Sequence, residues 1–338
     1  MLPRIVTALL CIVGLVTSAN GTPVSEGRLD FRIPSTGEIG KTWYRIIGNL
    51  KPGVRPLIAL HGGPGVNSGY LEALAPVTKG RPGPLIVYDQ IGNGKSTHYP
   101  ERMGNTTFWT EQLFLAELDN VLKKLKITEY DLIGHSWGAM LGAMHAVEQP
   151  KGLKHLVLWS GPASMALWIE AQRTWISQLP PAIRDALIRG EETGETDTEE
   201  YENASNYFYS KHFCRLDPFP PSLLEGFAAI ENDPTVYLTM SVILFIHSRL
   251  YEGLPIFIDR NGPSEFTITG SLRNWTIIPS LPKIKAPTLV TNGRYDEAAD
   301  IVVKPFVQKI PNVRWVSHTA LFEEPDKYKR VLKEFLYN

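Results

Sequence analysis

A serine between glycines is the strongest sign of chemistry in this sequence. Residues 134–138 read Gly-His-Ser-Trp-Gly, with Ser136 at the centre. An apolar stretch at 130–133 precedes the motif and a run of small residues at 137–147 follows it, which predicts a strand, a sharp turn and a helix. Such a turn exposes the serine hydroxyl, and the helix directs its N-terminal amides at a developing oxyanion. Ser136 is therefore the predicted nucleophile.

The base and the acid that would activate this serine are predicted from their order in the chain. A serine hydroxyl needs a base and the base needs an orienting carboxylate, which follow the elbow in the order acid, then histidine. Asp296 comes after the apolar stretch 288–290 and is the predicted acid, with Asp300 as the alternative. His318 follows the last apolar stretch and is the predicted base. Acyl transfer through an acyl-enzyme, resolved by water, is the expected reaction.

Short apolar strands alternate with helical patterns around these residues. Strands are predicted at 56–60, 84–88, 130–133, 153–159, 286–290 and 313–316, and helices at 108–125, 137–147, 302–309 and 325–336. This alternation favours a mainly parallel sheet covered on both faces. With the elbow, it predicts an α/β-hydrolase fold.

A helical, aromatic-rich block interrupts the alternation from about residue 163 to residue 279. A block of this kind predicts a cap inserted between two strands. We therefore divide the chain into a signal peptide (1–19), the first part of the core (20–162), the helical cap (163–280) and the second part of the core (281–338).

Composition restricts the classes of function. The chain has 338 residues, of which 43% are hydrophobic, with 34 Lys and Arg against 35 Asp and Glu. This is ordinary globular composition without the basic footprint of a nucleic-acid partner. The sequence has no H-E-x-x-H motif, Cys-His cluster or dinucleotide-binding glycine turn, so we expect neither a metal nor an organic cofactor.

The N-terminus has the pattern of a secretory leader. A basic start at 1–4 precedes an apolar run at 5–16 and small residues at 17–19, so cleavage after Ala19 is expected, with an uncleaved anchor as the alternative. The predicted location is secreted or in the endomembrane lumen, without a stable membrane span after cleavage. Cleavage would leave Cys214 as the single cysteine, expected to be a buried apolar residue. Sequons at Asn105, Asn203 and Asn274 then become candidate glycosylation sites.

Several segments together resemble the proline iminopeptidases, also called prolyl aminopeptidases. They are residues 61–65 (His-Gly-Gly-Pro-Gly), 89–96, 134–138, 261–266 (Asn-Gly-Pro-Ser-Glu-Phe) and 293–297. The resemblance is nearest to the branch that includes the archaeal tricorn-interacting aminopeptidase, and it runs from about Phe31 to the C-terminus. It implies a hydrolase core, a helical cap and release of an N-terminal residue, proline or another apolar one, from short peptides or amides.

The resemblance also implies roles for binding residues. The Gly63 and Trp137 amides would form the oxyanion hole. Glu265, and with it Asp217, would bind the free α-amino group of the substrate, since an ammonium group in a partly closed pocket needs a carboxylate partner. The alternative for Glu265 is a charge at a helix N-terminus, and for Asp217 a structural role is the favoured alternative.

Two departures from the family leave other functions open. Residues 241–260 separate two pieces that the family joins, and we expect this segment to be an exposed insertion, or a gene-model error, outside the working cap. The stretch 312–317 is several residues short before His318, so this loop would not place the histidine in the usual way. The alternatives are an esterase, amide hydrolase or acyltransferase acting on a specialised small molecule, or a catalytically impaired homologue.

Overall fold

A computed structural model of the chain describes residues 14–17, 21–80, 83–241 and 266–337. Its strands are β1 (Gly14–Thr17), β2 (Pro23–Arg32), β3 (Ile39–Ile47), β4 (Leu57–Leu60), β5 (Leu85–Tyr88), β6 (Tyr130–His135), β7 (Leu153–Trp159), β8 (Thr288–Asn292) and β9 (Val313–Ser317). Its helices are α1 (Glu111–Lys124), α2 (Trp137–Val147), α3 (Met165–Ser177), α4 (Pro181–Thr193), α5 (Glu199–His212), α6 (Pro221–Asn232), α7 (Thr235–Met240), α8 (Asp300–Lys309) and α9 (Pro325–Tyr337).

The strands form one sheet in the order β1-β2-β3-β5-β4-β6-β7-β8-β9. The first four pair antiparallel, and all pairs from β5 to β9 are parallel. The mainly parallel sheet with a helical block between β7 and β8 confirms the predicted α/β-hydrolase fold. Among the described helices, none has the length and apolar character needed to cross a bilayer.

Apolar side chains cover both faces of the sheet. In β4, Ile58 and Leu60 pack in the cluster that includes side chains of α1, α2 and α8, whereas Leu57 and Ala59 pack in the cluster that includes α9. All four are fully buried, as expected of a central parallel strand between two helical layers. These two layers hold the carboxyl ends of the parallel strands at one edge, which is where the candidate catalytic residues follow.

The antiparallel pair β2–β3 was not predicted. Most positions of β2 are only half-buried or exposed, and the strand begins Pro-Val-Ser-Glu-Gly-Arg, so it lacks the apolar run that identifies the central strands. It is held by nine aligned residue pairs with β3, from Val24 opposite Ile47 to Arg32 opposite Ile39. Backbone pairing with β3, and not the composition of the segment itself, determines the position of this strand.

The helical insert has its own apolar cluster. Leu187 on α4, Phe208 on α5 and Phe266 are among its buried members. Residues 242–265 lie outside the described part of the chain, so the expectation for segment 241–260 and the role of Glu265 stay predictions. The same holds for the signal peptide, of which the structure describes only the strand Gly14–Thr17.

Candidate active site

Ser136 occupies a strained turn between β6 and α2, as the motif predicts. Its backbone has φ 54° and ψ −118°. This conformation is unfavourable for a non-glycine residue and persists only where the surrounding structure imposes it. A β-carbon on Gly134 would lie 2.0 Å from the Gly138 carbonyl oxygen, and one on Gly138 would lie 2.2 Å from the Leu60 carbonyl oxygen. The two glycines are therefore required by the close approach of strand and helix.

The core holds the residue after Ser136 by a chain of hydrogen bonds. The indole of buried Trp137 donates to the Gln90 side-chain oxygen at 2.9 Å. The Gln90 amide in turn donates to Nε2 of His61 at 2.9 Å. Since Nε2 accepts, Nδ1 of His61 carries the proton and donates to the Gly62 carbonyl at 3.0 Å. Burial lowers the pKa of His61, so this histidine is neutral and structural.

His135 precedes the nucleophile directly but is a poor base. Its Nδ1 lies 2.9 Å from the Tyr70 hydroxyl, which also accepts from the Gly62 amide at 2.7 Å. Its ring lies 4.2 Å from that of Trp159. Burial lowers the pKa of His135 to about 3, so its ring takes up a proton only with difficulty. It lines the cavity around Ser136.

The predicted oxyanion donors lie beside the nucleophile. Gly63, Ser136 and Trp137 line one small recess. Trp137 is the first residue of α2, and the first amides of a helix have no acceptor within the helix. Gly63 has φ 103°, a conformation that favours glycine. Gly63 and Trp137 therefore lie where their amides can donate to the carbonyl oxygen of a substrate that Ser136 attacks.

Asp296 lies just after β8 and is held by three donors. The Ser160 hydroxyl donates to its Oδ2 at 2.6 Å, the Gly293 amide to Oδ2 at 2.9 Å and the Ala298 amide to Oδ1 at 2.8 Å. Burial raises the pKa of Asp296, and these three hydrogen bonds act in the opposite direction. The sequence analysis did not identify Ser160, although its place at the end of β7, one strand from β8, was a usable signal.

Replacing Ser160 with alanine should move the acid limb of the pH–activity profile to higher pH. Loss of the hydroxyl removes a hydrogen bond that lowers the pKa of Asp296, so this carboxylate, the predicted acid, is protonated at a higher pH. A hydrogen bond to a charged group corresponds to a shift of about one pH unit. Ser160→Cys, a weaker donor of similar shape, should give an intermediate shift in kcat/KM profiles. An unmoved limb with uniformly lower activity would show that Ser160 is only structural.

His318 does not lie between Ser136 and Asp296. It follows β9 without an intervening loop, has φ 60° and is exposed. Its carbonyl accepts from Lys327 Nζ at 2.8 Å, and within the described ranges its ring makes no hydrogen bond to Ser136 or Asp296. The last residue of β9, Ser317, directly precedes the histidine, which agrees with the short stretch noted in the sequence.

The three predicted catalytic residues are distributed between two neighbouring cavities. Asp296 lines both of them, Ser136 lines one, and His318 lines the other. The structure therefore brings Asp296 to the cavity around Ser136, whereas His318 lines only the adjoining cavity. Asp300 instead accepts from the Asn292 side chain at 2.9 Å, at the start of α8.

The cavity around Ser136 is mainly apolar. Its walls include the cap residues Leu223, Phe227 and Ile230 together with Val66, Trp159, Trp168, Leu321 and Phe322. Cys214 also lines it and is buried, as expected, and burial raises the pKa of this thiol. Asp217 is exposed between α5 and α6 and is not among the residues that line this cavity.

A carboxylate that the sequence analysis did not identify lies in the same cavity. Glu297 is 5% exposed and follows Asp296 directly. Its position after β8, where the carboxyl ends of parallel strands meet, was the available signal. Within the described ranges, no group of three or more His, Cys, Asp or Glu side chains is arranged to hold a metal ion.

Comparison with known proteins defines the class and then the family. The α/β-hydrolase-fold family model matches residues 55–317. Proline iminopeptidase from Heyndrickxia coagulans is 33% identical over 290 residues, covering 84% of this chain and 91% of that protein. The enzyme of the same name from Saccharolobus solfataricus is 33% identical over 302 residues, 87% of each chain. The chain therefore belongs to the proline iminopeptidase family of α/β hydrolases.

Solved structures agree with this placement. The crystal structure of VinJ has a TM-score of 0.80 and 40% sequence identity, covering 92% of this chain and 98% of VinJ. Proline iminopeptidase from Mycobacterium smegmatis has a TM-score of 0.78 and 36% identity, with the same coverage. Both matches extend over the core and the cap, and so confirm the predicted family at the level of the whole fold.

Proposed function

We propose that this protein is a serine aminopeptidase that releases an N-terminal proline or another apolar residue from short peptides or amides. The observation that supports this most directly is Ser136 in its strained turn, opening into an apolar cavity that is also lined by half-buried Asp296 and buried Glu297. We further propose, from the resemblance of its motifs taken together, that the chain lies near the branch with the archaeal tricorn-interacting aminopeptidase.

The reaction would proceed by acyl transfer. Ser136 Oγ attacks the scissile carbonyl carbon while His318 accepts the hydroxyl proton, and the Gly63 and Trp137 amides donate to the oxyanion. The protonated histidine then gives this proton to the leaving amine, so that the carbon–nitrogen bond breaks and an ester to Ser136 remains. Water, deprotonated by the same histidine, hydrolyses the ester. Asp296 would orient the histidine once a movement at the end of β9 brings its ring inward.

Acidic residues would bind the amino group of the substrate. Glu265 and Asp217 are the candidates from the family resemblance, and Glu297 adds a carboxylate inside the cavity. An ammonium group in a partly closed pocket needs a carboxylate partner. This arrangement would select peptides with a free N-terminus over blocked ones.

A panel of amides with free and acylated amino groups tests this function. We expect turnover of the free-amino members and, in Glu265→Gln, a rise in KM for these about tenfold or more, because a charge-assisted hydrogen bond contributes about 1.5–3 kcal/mol. Acylated substrates should change little. Equal effects on both types would contradict the amino anchor and favour an esterase, an amide hydrolase or an acyltransferase of a specialised small molecule.

The position of His318 favours a second candidate, a catalytically impaired homologue that binds peptides without turnover. The histidine is exposed and has no hydrogen bond to Asp296 in the described part of the chain. A fluorophosphonate probe separates the two candidates, because only an activated serine reacts with it. Rapid, stoichiometric labelling of Ser136 would support the enzyme, and absence of labelling in the folded protein would support the binding protein.

A further inference from the structure

A second cavity, of about 420 Å³, adjoins the cavity around Ser136. The two share a wall formed by His212, Phe213, Asp296, Ala320 and Glu323. The two cavities therefore adjoin at these residues. None of the proposed catalytic steps uses the polar residues on the far side of this second cavity, apart from His318.

Three basic side chains line the second cavity without a carboxylate partner among the described residues. Arg215 and Arg294 both lie by the ring of Tyr295, with their guanidinium carbons 4.2 Å and 5.7 Å from its centroid. Lys211 lies with Nζ 4.9 Å from the centroid of the Tyr207 ring. Stacking on an aromatic ring orients a guanidinium group while leaving its N–H donors available at the ring's edge.

The acidic residues of this cavity are already engaged. Glu324 pairs with Lys327 at 3.0 Å, and Glu323 accepts the Arg215 backbone amide at 2.8 Å. Asp296 accepts from three donors. Four basic side chains and three carboxylates line the cavity, so its lining keeps a net charge of about +1.

The pKa of His212 is sensitive to these positive charges. Burial lowers the pKa of His212, and the charges of Arg215 and Lys211 lower it further. His212 lies in the wall shared by the two cavities, and its Nδ1 donates to the Tyr295 carbonyl at 2.7 Å. The two basic residues thus act electrostatically at the wall where a bound substrate would cross.

We propose that this second cavity binds the C-terminal carboxylate of a short peptide, with Arg215 and Arg294 as its donors. The proposal rests on the proposed aminopeptidase function and names its substrates more closely, as peptides of a few residues with a free C-terminus. A guanidinium group matches a carboxylate by two parallel hydrogen bonds, and an amidated C-terminus cannot form this charged pair. Both ends of the peptide would then be recognised by charge, the amino end by acids and the carboxyl end by arginines.

The test compares one tripeptide with its C-terminal amide, both with a free N-terminus. In the unaltered protein we expect kcat/KM to favour the acid about tenfold. In the double variant Arg215→Gln and Arg294→Gln the preference should fall to near one, and it should weaken in the unaltered protein as salt is raised. Arg184→Gln is the matched control, since Arg184 pairs with Asp185 on α4 and lines neither cavity.

Equilibrium binding to Ser136→Ala gives a readout that does not need turnover. Tighter calorimetric binding of the acid than of the amide, lost in the double arginine variant, would support the carboxylate site even if no peptide were hydrolysed and the proposed function failed. Hydrolysis of acid and amide at equal rates would leave the aminopeptidase function standing and overturn the carboxylate site. An undiminished preference in the double variant would also overturn it.

Discussion

Ser136→Ala should eliminate both peptide hydrolysis and labelling by fluorophosphonate. The substitution removes the attacking oxygen, and members of a catalytic triad act as a unit, so we expect kcat to fall by about three orders of magnitude or more. The fold should persist, because the surrounding glycines and the hydrogen bond from Trp137 to Gln90 keep the turn in place. Turnover near that of the unaltered protein would refute Ser136 as the nucleophile.

A second serine provides the control for this variant. Ser177 is exposed at the end of α3, and its hydroxyl donates to the Thr174 carbonyl at 2.7 Å, within the same helix. Ser177→Ala should retain both turnover and labelling. Thermal unfolding of the two variants should coincide closely with that of the unaltered protein, so a loss of activity confined to Ser136→Ala reports chemistry rather than folding.

Lengthening the loop before His318 should raise activity. Insertion of about four small polar residues between Ser317 and His318 adds roughly 13 Å of possible reach, enough for the ring to turn from the surface toward Asp296. A correctly placed base contributes about 10²–10⁴ to the rate of proton transfer, so we expect kcat and the rate of fluorophosphonate labelling to rise by at least the lower of these factors. Surface insertions of this length cost little loop entropy.

The same insertion combined with His318→Ala is the matched control. It carries the longer loop without the base, and its activity should remain at or below that of the unaltered protein. If both insertion variants behave alike, the gain does not come from the histidine. If the unaltered protein already turns over rapidly and the insertion slows it, His318 reaches Ser136 by another movement and the short loop is a working feature.

The elements that could be predicted are those whose residue pattern matches their surroundings in the folded protein. The predicted bounds of β7 and α2 coincide with those of the structure, because an apolar run and a small-residue helix are strong local signals. The β2–β3 pair was missed because its stability comes from pairing across the sheet edge. Asp296 was placed correctly after β8, since chain order decides which strand end it occupies.

The candidate site was less completely predictable. His318 was identified by its order in the chain, but its distance from Ser136 depends on the length of a loop and not on residue type. Ser160 lies outside every motif, and it approaches Asp296 only because β7 and β8 are paired and end at one edge of the sheet. Glu297 closes the segment 293–297, but nothing in that segment indicates that its side chain lies in the cavity around Ser136. Composition and motif spacing therefore do not predict the contacts of the site that join residues far apart in sequence.

Ser136 and the walls of its cavity are supported by different parts of the chain, and this division bears on how specificity can evolve. Trp137, Gln90 and His61 hold the turn from within the core. Leu223 and Phe227 shape the cavity from α6 in the cap. Substitutions on α6 can therefore change which substrates are accepted while the catalytic turn keeps its geometry. A library of variants confined to α6 would sample new specificities while leaving unchanged the core residues that hold the turn.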